Sequence, residues 1–281
     1  YSPLGRGFLS GEIKSIDEIL RMREAGLVVA DALTAVQEAV AIGVTTAELD
    51  AVAAEVIAAR GARSSFLGYQ GYPATTCISV NDEVVHGIPG DRVIQDGDVV
   101  SVDCGAIVDG WHGDSAVTVL VGDVDPADAR LSAVTEEAMW AGIAALARAE
   151  RLHEVGAAVE DSVVAASGPL VPYGIVQEYV GHGIGSAMHQ SPDVPNFRVR
   201  DRGPRVRPGM CIAIEPMVTR GERFTQVCED DWTVVTDDGS RAAHWEHTVA
   251  VLEDGIWVLT ATDGGCAKLE DRGIKITSLG S

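Results

Sequence analysis

The spacing of apolar positions divides the chain into two stretches, each beginning with helices and continuing as strands. Ser15-Ile16-Asp17-Glu18 reads as a capping box, and apolar residues at helical spacing follow it through Ala41. Thr45 to Glu48 repeats the device and opens a second helix to about Arg60, stopped at Gly61. Strand-like segments run from Thr75 to Val121. Asp125-Pro126 then supplies a cap and a first-turn proline for a third helix to about Ala149, and a fourth, from Leu152, ends before Gly168-Pro169. Strand-like segments resume from Tyr173 to Leu259. Because the strands come in blocks and do not alternate singly with helices, the pattern predicts an α+β fold over a doubly wound one. No Gly/Ser/Pro linker divides the chain, which predicts one domain.

Within the first block, Val99 to Val121 reads as two strands joined by the two-residue turn Asp109-Gly110. Symmetric closure sets Asp103 opposite Ala116, and Asp114 lies two residues from Ala116 on the same face. Two carboxylates thus share one side of an apolar ribbon. Ordinary solvent-facing acids would look the same, but the second block repeats the anomaly, with Glu215 in CIAIEPM and Glu246 in AAHWEHTVAVLE. Acids set among apolar residues are rare unless paired or metal-bound. With His182, in Gly181-His182-Gly183-Ile184-Gly185, they form an oxygen-rich, one-imidazole set suited to divalent Mn, Fe, Co or Zn.

Composition narrows the classes further. The chain has 281 residues, 46% of them hydrophobic, with 42 acidic against 21 basic residues and a net charge of −21. That describes a soluble globular protein with a sizeable core, without broad affinity for nucleic acid or anionic lipid. Five scattered cysteines with no C-x-x-C pair read as free thiols in a reducing cytosol. No window reads as a membrane span or a signal peptide.

Asn81-Asp82-Glu83-Val84-Val85-His86-Gly87-Ile88-Pro89, Asp103 and Asp114, Gly-His182-Gly-Ile-Gly, His189, Ile-Glu215-Pro-Met and Trp-Glu246-His-Thr resemble, in order and spacing, the methionine aminopeptidases. The resemblance runs from about Ile16 to Thr260. It implies the pita-bread fold, two pseudo-symmetric ααβ halves around a dinuclear metal site, with a single catalytic domain over 15–262 and a C-terminal tail over 263–281. It further implies that Asp103 chelates one ion, that Asp114 and Glu246 bridge both, and that His182 and Glu215 complete the other, with Glu215 as general base. By the same resemblance His189 donates to the developing oxyanion and His86 meets the substrate's amide nitrogen. Phe66, Tyr69, Tyr72, Cys77, Met188 and Trp232 would form the methionine pocket. Relatives often carry Cys and Phe where Phe66 and Met188 stand, and both exchanges keep the apolar character. His112, His153, His244 and His247 match no catalytic position and are assigned structural or surface roles.

The short interval between Glu215 and Glu246 leaves no room for the insertion of the type II enzymes, so the resemblance is to the type I, bare bacterial form. The implied activity is removal of the N-terminal methionine from peptides and nascent proteins, in the cytoplasm, by a monomer. Competing readings are a related hydrolase, prolidase or aminopeptidase P-like, expected to carry a large further N-terminal domain, and a catalytically silent pita-bread binding module, expected to have lost metal ligands. The first eleven residues, Tyr1 to Gly11, resemble a short loop segment of aldo-keto reductases, so residues 1–14 are expected to form a loosely ordered, non-family extension. Arg198, Arg200, Arg202, Arg205 and Arg207 make a basic patch, read either as a solvated loop paired to nearby acids or as a transient docking point on ribosomal RNA.

Overall fold

The computed structural model describes residue 13 and residues 15–168, 173–274 and 276–277, so most of the expected N-terminal extension lies outside the described residues. Helices α1 (Ile16–Ala39) and α2 (Thr46–Ala59) begin at the two capping boxes. The Ser15 and Thr45 hydroxyls accept from the N–H groups of Glu18 and Glu48, whose carboxylates return to the cap N–H at 3.0 and 2.7 Å. Strands β1 (Arg63–Ser64), β2 (Thr76–Val80), β3 (Glu83–Val85), β4 (Val99–Val108) and β5 (Trp111–Leu120) complete the first half.

The second half opens with α3 (Pro126–Leu146), capped by the Asp125 carboxylate, and α4 (Glu154–Ala166). Its strands are β6 (Gly174–Ile175), β7 (Gly181–Gly183), β8 (Gln190–Val194), β9 (Cys211–Ile214) and β10 (Met217–Thr219). They continue with β11 (Thr225–Val227), β12 (Val234–Thr236), β13 (Ala242–His244), β14 (Glu246–Leu252) and β15 (Gly255–Val258), before the short helix α5 (Cys266–Glu270). The order of two helices then strands, twice over, is the one predicted, and the strands pair antiparallel.

One nine-stranded sheet runs through both halves in the order β1-β4-β5-β14-β9-β7-β8, with β2 on β4 and β15 on β14. Each helix pair buries an apolar stripe on its own end of this sheet. Val29, Leu33, Val36 and Leu49 pack on Ile78, Val100 and Val102 in the first half; Met139, Ile143 and Val155 pack on Ile212, Ile214 and Val249 in the second. Each such side chain contributes about 1.5–3 kcal/mol on leaving water. Arg23 ties the halves together, donating from α1 to the carbonyls of Leu259, Ala261 and Thr262 at 2.7, 2.5 and 2.8 Å.

The β4–β5 hairpin sets the register that the site depends on. Asp109 and Gly110 both take positive φ, 49° and 85°, the backbone of a type I′ turn, and Asp103 pairs with Ala116 as predicted. At the chain ends, Ile13 is fully buried against Ile19 and Met22, inside the stretch set apart as an extension. Residues beyond 262 also pack: Leu269 and Ile274 enter the second core, and the Arg272 guanidinium donates to both carboxylate oxygens of Glu137 at 2.9 and 2.7 Å. Among the described residues no helix is long and apolar enough to cross a membrane.

Candidate active site

Five strands that neighbour one another in the sheet, β4, β5, β14, β9 and β7, each bring one candidate ligand to a single face. Asp103 pairs with Ala116, and Ala116 pairs with Glu246 across the seam between the halves. Asp114 shares the face of Ala116 by the two-residue period of a strand. One step past the His247–Ile214 pair, the β14–β9 register sets Glu215 beside Glu246, and the Gly183–Ile212 pair sets His182 against the same strand.

The side chains converge as the backbone dictates. His182 Nε2 lies 3.9 Å from Asp114 Oδ2 and 3.5 Å from Glu215 Oε1, and ligand atoms of Asp114, His182 and Glu246 all fall within 4.8 Å of one another. The Nδ1–H of His182 donates to the Gly183 carbonyl at 2.9 Å, which leaves the Nε2 lone pair toward the acids, the arrangement typical of a metal-binding histidine. Burial pulls this imidazole down to about 3, so it is neutral.

The carboxylates are under electrostatic stress. Burial pushes Asp103 up to about 7, and burial with the charges of neighbouring acids holds Asp114, Glu215 and Glu246 well above the carboxylate range. Asp103 Oδ1, Asp114 Oδ1 and Glu246 Oε1 are buried without a hydrogen-bond partner. Several kcal/mol attend each uncompensated buried charge. Unpartnered oxygens, a neutral imidazole and, among the described residues, no cationic side chain paired with them make this donor set fit divalent metal.

Beside the ligands is a cavity of about 420 Å³, lined by every catalytic, pocket and metal residue that the sequence singled out. Its apolar part is a cluster separate from the main cores, with Phe66, Tyr72, Cys77 and Met188 buried and Tyr69 and Trp232 packed against them. Tyr72 donates to the carbonyls of Thr76 and Gly87, at 3.0 Å in each case, and meets Trp232 edge-on at 5.0 Å. His86, at the end of β3, is held at φ 61°, a conformation that costs a non-glycine residue energy and aims its ring at Tyr179 and Trp232. Burial lowers His86 to about 4 and lowers His189 as well, so both are neutral near pH 7.

Several contributors carried no sequence signal. Tyr179 and Met217 also line the cavity, and the fully buried Asn196 donates its amide to the Glu215 carbonyl at 3.1 Å. His244, assigned a structural role from sequence, sits with Nε2 4.0 Å from Glu215 Oε2; its place two residues before Glu246 was the available hint. His112, buried, and His247, half-buried, hydrogen-bond to Ser65 and Thr260, and His153 bonds the Asp201 carbonyl at the start of α4. In the arginine patch, Arg198 pairs with Asp161 at 2.7 Å and Arg202 with Glu154 at 3.7 Å.

The model of metallopeptidase family M24 matches residues 20–253. Methionine aminopeptidase 1 of Mycobacterium tuberculosis is 51% identical over 249 residues, 88% of this chain and 94% of that protein. Methionine aminopeptidase 1 of Bacillus subtilis is 43% identical over 247 residues, 88% and 98% of the two chains. The crystal structure of methionine aminopeptidase from Thermotoga maritima superposes with a TM-score of 0.85 at 40% identity, covering 89% of this chain and 98% of that one. A pita-bread sheet carrying this candidate ligand set, matched across most of its length, means that the chain belongs to metallopeptidase family M24.

Proposed function

We propose that the chain hydrolyses the first peptide bond of peptides and nascent proteins that begin with methionine, in the manner of the type I enzymes. The observation that carries this reading is a junction within one cavity: three buried acids, the half-buried Asp103 and one imidazole on one side, an apolar cluster around Phe66, Cys77 and Met188 on the other. Asp103, Asp114, His182, Glu215 and Glu246 would hold two divalent ions, Co, Mn, Fe or Zn, which when bound supply Lewis-acid polarisation of the scissile carbonyl and a more acidic water.

The remaining chemistry belongs to the chain. Glu215 takes the proton of the attacking water as general base. His189 donates to the oxygen that becomes negative, and His86 accepts from the substrate's amide N–H; neutral imidazoles suit both tasks. Phe66, Tyr69, Tyr72, Cys77, Met188 and Trp232 receive an unbranched apolar side chain next to the ligands, so the bond brought to them is the one after the first residue. Free cysteines fit an enzyme of the reducing cytoplasm, where it would act as a monomer. The ion pairs of Arg198 and Arg202 favour the solvated-loop reading of that patch over ribosome docking.

Metal-stripped protein reloaded with each of the four ions and assayed on Met-Ala-Ser and on Xaa-Pro peptides tests the reading. Methionine release from the first peptide alone is the expected result. Cleavage of Xaa-Pro peptides would instead mark a prolidase-type hydrolase, and no turnover with any ion a binding module.

A further inference from the structure

The seam between the two halves is narrow. Strands β5 and β14 pair through only two positions, Ala116 with Glu246 and Ser115 with His247. The acids expected to bridge the ions stand on opposite sides of it, Asp114 on β5 and Glu246 on β14. Any opening of the seam would move them apart.

Two hydroxyls lock it. Ser115 donates from β5 to the Glu246 carbonyl at 2.5 Å. Thr248, on β14, donates to the Asp114 carbonyl at 2.8 Å and accepts from the Asp114 N–H at 3.2 Å, taking the place of a backbone pair at that position. Each half thus grips the main chain of the other half's carboxylate, with both hydroxyls buried. Neighbouring groups keep them in place: Thr248 N–H donates to the Thr260 hydroxyl at 3.1 Å.

We propose that Ser115 and Thr248 form a reciprocal clasp that fixes the spacing of Asp114 and Glu246, and that this spacing is what allows a second divalent ion to bind beside the first. Neither residue touches substrate or ion; they are positioning residues. The proposal rests on the two-ion reading above. Groups that orient a metal ligand from behind typically carry 10–100-fold in metal affinity.

The test is stepwise Mn²⁺ titration of metal-stripped wild type, Thr248→Val, Thr248→Ser and Ser115→Ala, read by calorimetry and by the spin-coupled signal of an Mn²⁺ pair. Amide exchange at Asp114 in the metal-free proteins is followed alongside. The expected result in Thr248→Val is a first ion bound within about threefold of wild type, a second weakened roughly 10–100-fold, and faster exchange at Asp114. Thr248→Ser, which keeps the hydroxyl, should restore all three. If Thr248→Val does not fold, Ser115→Ala compared with wild type and Thr248→Ser decides. A merely structural role would lower the unfolding temperature and leave the ratio of the two affinities as in wild type, and that outcome overturns the proposal. Wild type taking up a single ion would overturn the two-ion reading together with it.

Discussion

The phenol of Tyr69 lies 2.9 Å from Nδ1 of His189, across 120 positions of sequence. With its hydroxyl donating, Tyr69 keeps Nδ1 unprotonated and places the imidazole proton on Nε2, the nitrogen needed if His189 is to donate to an oxyanion. His189→Ala should therefore lower kcat by roughly 10²–10³, the usual result of losing such a donor, with metal content intact. Tyr69→Phe should lower kcat by about tenfold through the competing tautomer, and should cost nothing more in the His189→Ala background. Additive losses in that double-mutant cycle would mean that Tyr69 acts on substrate independently of the histidine.

Asp114→Asn and Glu246→Ala each remove a carboxylate proposed as a ligand that no neighbour replaces, since the other acids on that face of these strands are themselves proposed ligands. Both variants should lose the metal pair, and turnover should fall by more than the roughly 10–100-fold typical of groups behind a ligand. Elemental analysis with a parallel peptidase assay checks this. Two tightly bound ions with normal turnover in either variant would move the site elsewhere.

The parts of the site that were legible in the sequence are those fixed by local rules. A two-residue turn with positive φ at Asp109 and Gly110 leaves one register, so the placement of Asp103 and Asp114 followed from counting. Capping boxes at Ser15 and Thr45 fixed two helix starts in the same way. The juxtaposition of Glu246 with Ala116 and Glu215 depends on which strands pair at long range, and periodicity carries no such information. Tyr69 beside His189, Asn196 behind Glu215 and Thr248 against Asp114 belong to that second class. A threonine in a strand reads as β-propensity until its partner is known.

Metal uptake should depend on pH in a stated direction. Burial raises Asp103 to about 7, so below that pH the metal-free site keeps a proton that an incoming cation must displace. Apparent Mn²⁺ affinity should rise from pH 6 through pH 7, with proton release on binding, and go on rising above it, because burial and neighbouring charge hold Asp114, Glu215 and Glu246 up as well. Calorimetry in buffers of different ionisation enthalpy separates the proton release from the binding heat. Affinity independent of pH over this range would mean that Asp103 is already ionised in the metal-free protein.

The apolar cluster proposed as the methionine pocket borders a residue with no side chain. Gly105 lies opposite Asp114 in the hairpin, and a Cβ added there would stand 2.8 Å from Cε1 of Phe66 and 2.8 Å from Cβ of Ser65, closer than real contacts allow. Phe66 is the softer neighbour, because Ser65 is held by its hydrogen bond to His112 at 2.9 Å, so the ring should be driven into the cavity it lines. One methylene of misfit in an apolar pocket is worth about 1–3 kcal/mol, or roughly 10–200-fold. Gly105→Ala should accordingly lower kcat/KM on Met-Ala-Ser by at least about tenfold, while Mn²⁺ stoichiometry stays that of wild type, since the ligand strands keep their pairing. A second change, Phe66→Ala, should recover part of the loss in the double variant by vacating the contested space. Loss of metal in Gly105→Ala, or no recovery in the double variant, would show that the glycine serves the backbone of β4 rather than the shape of the pocket.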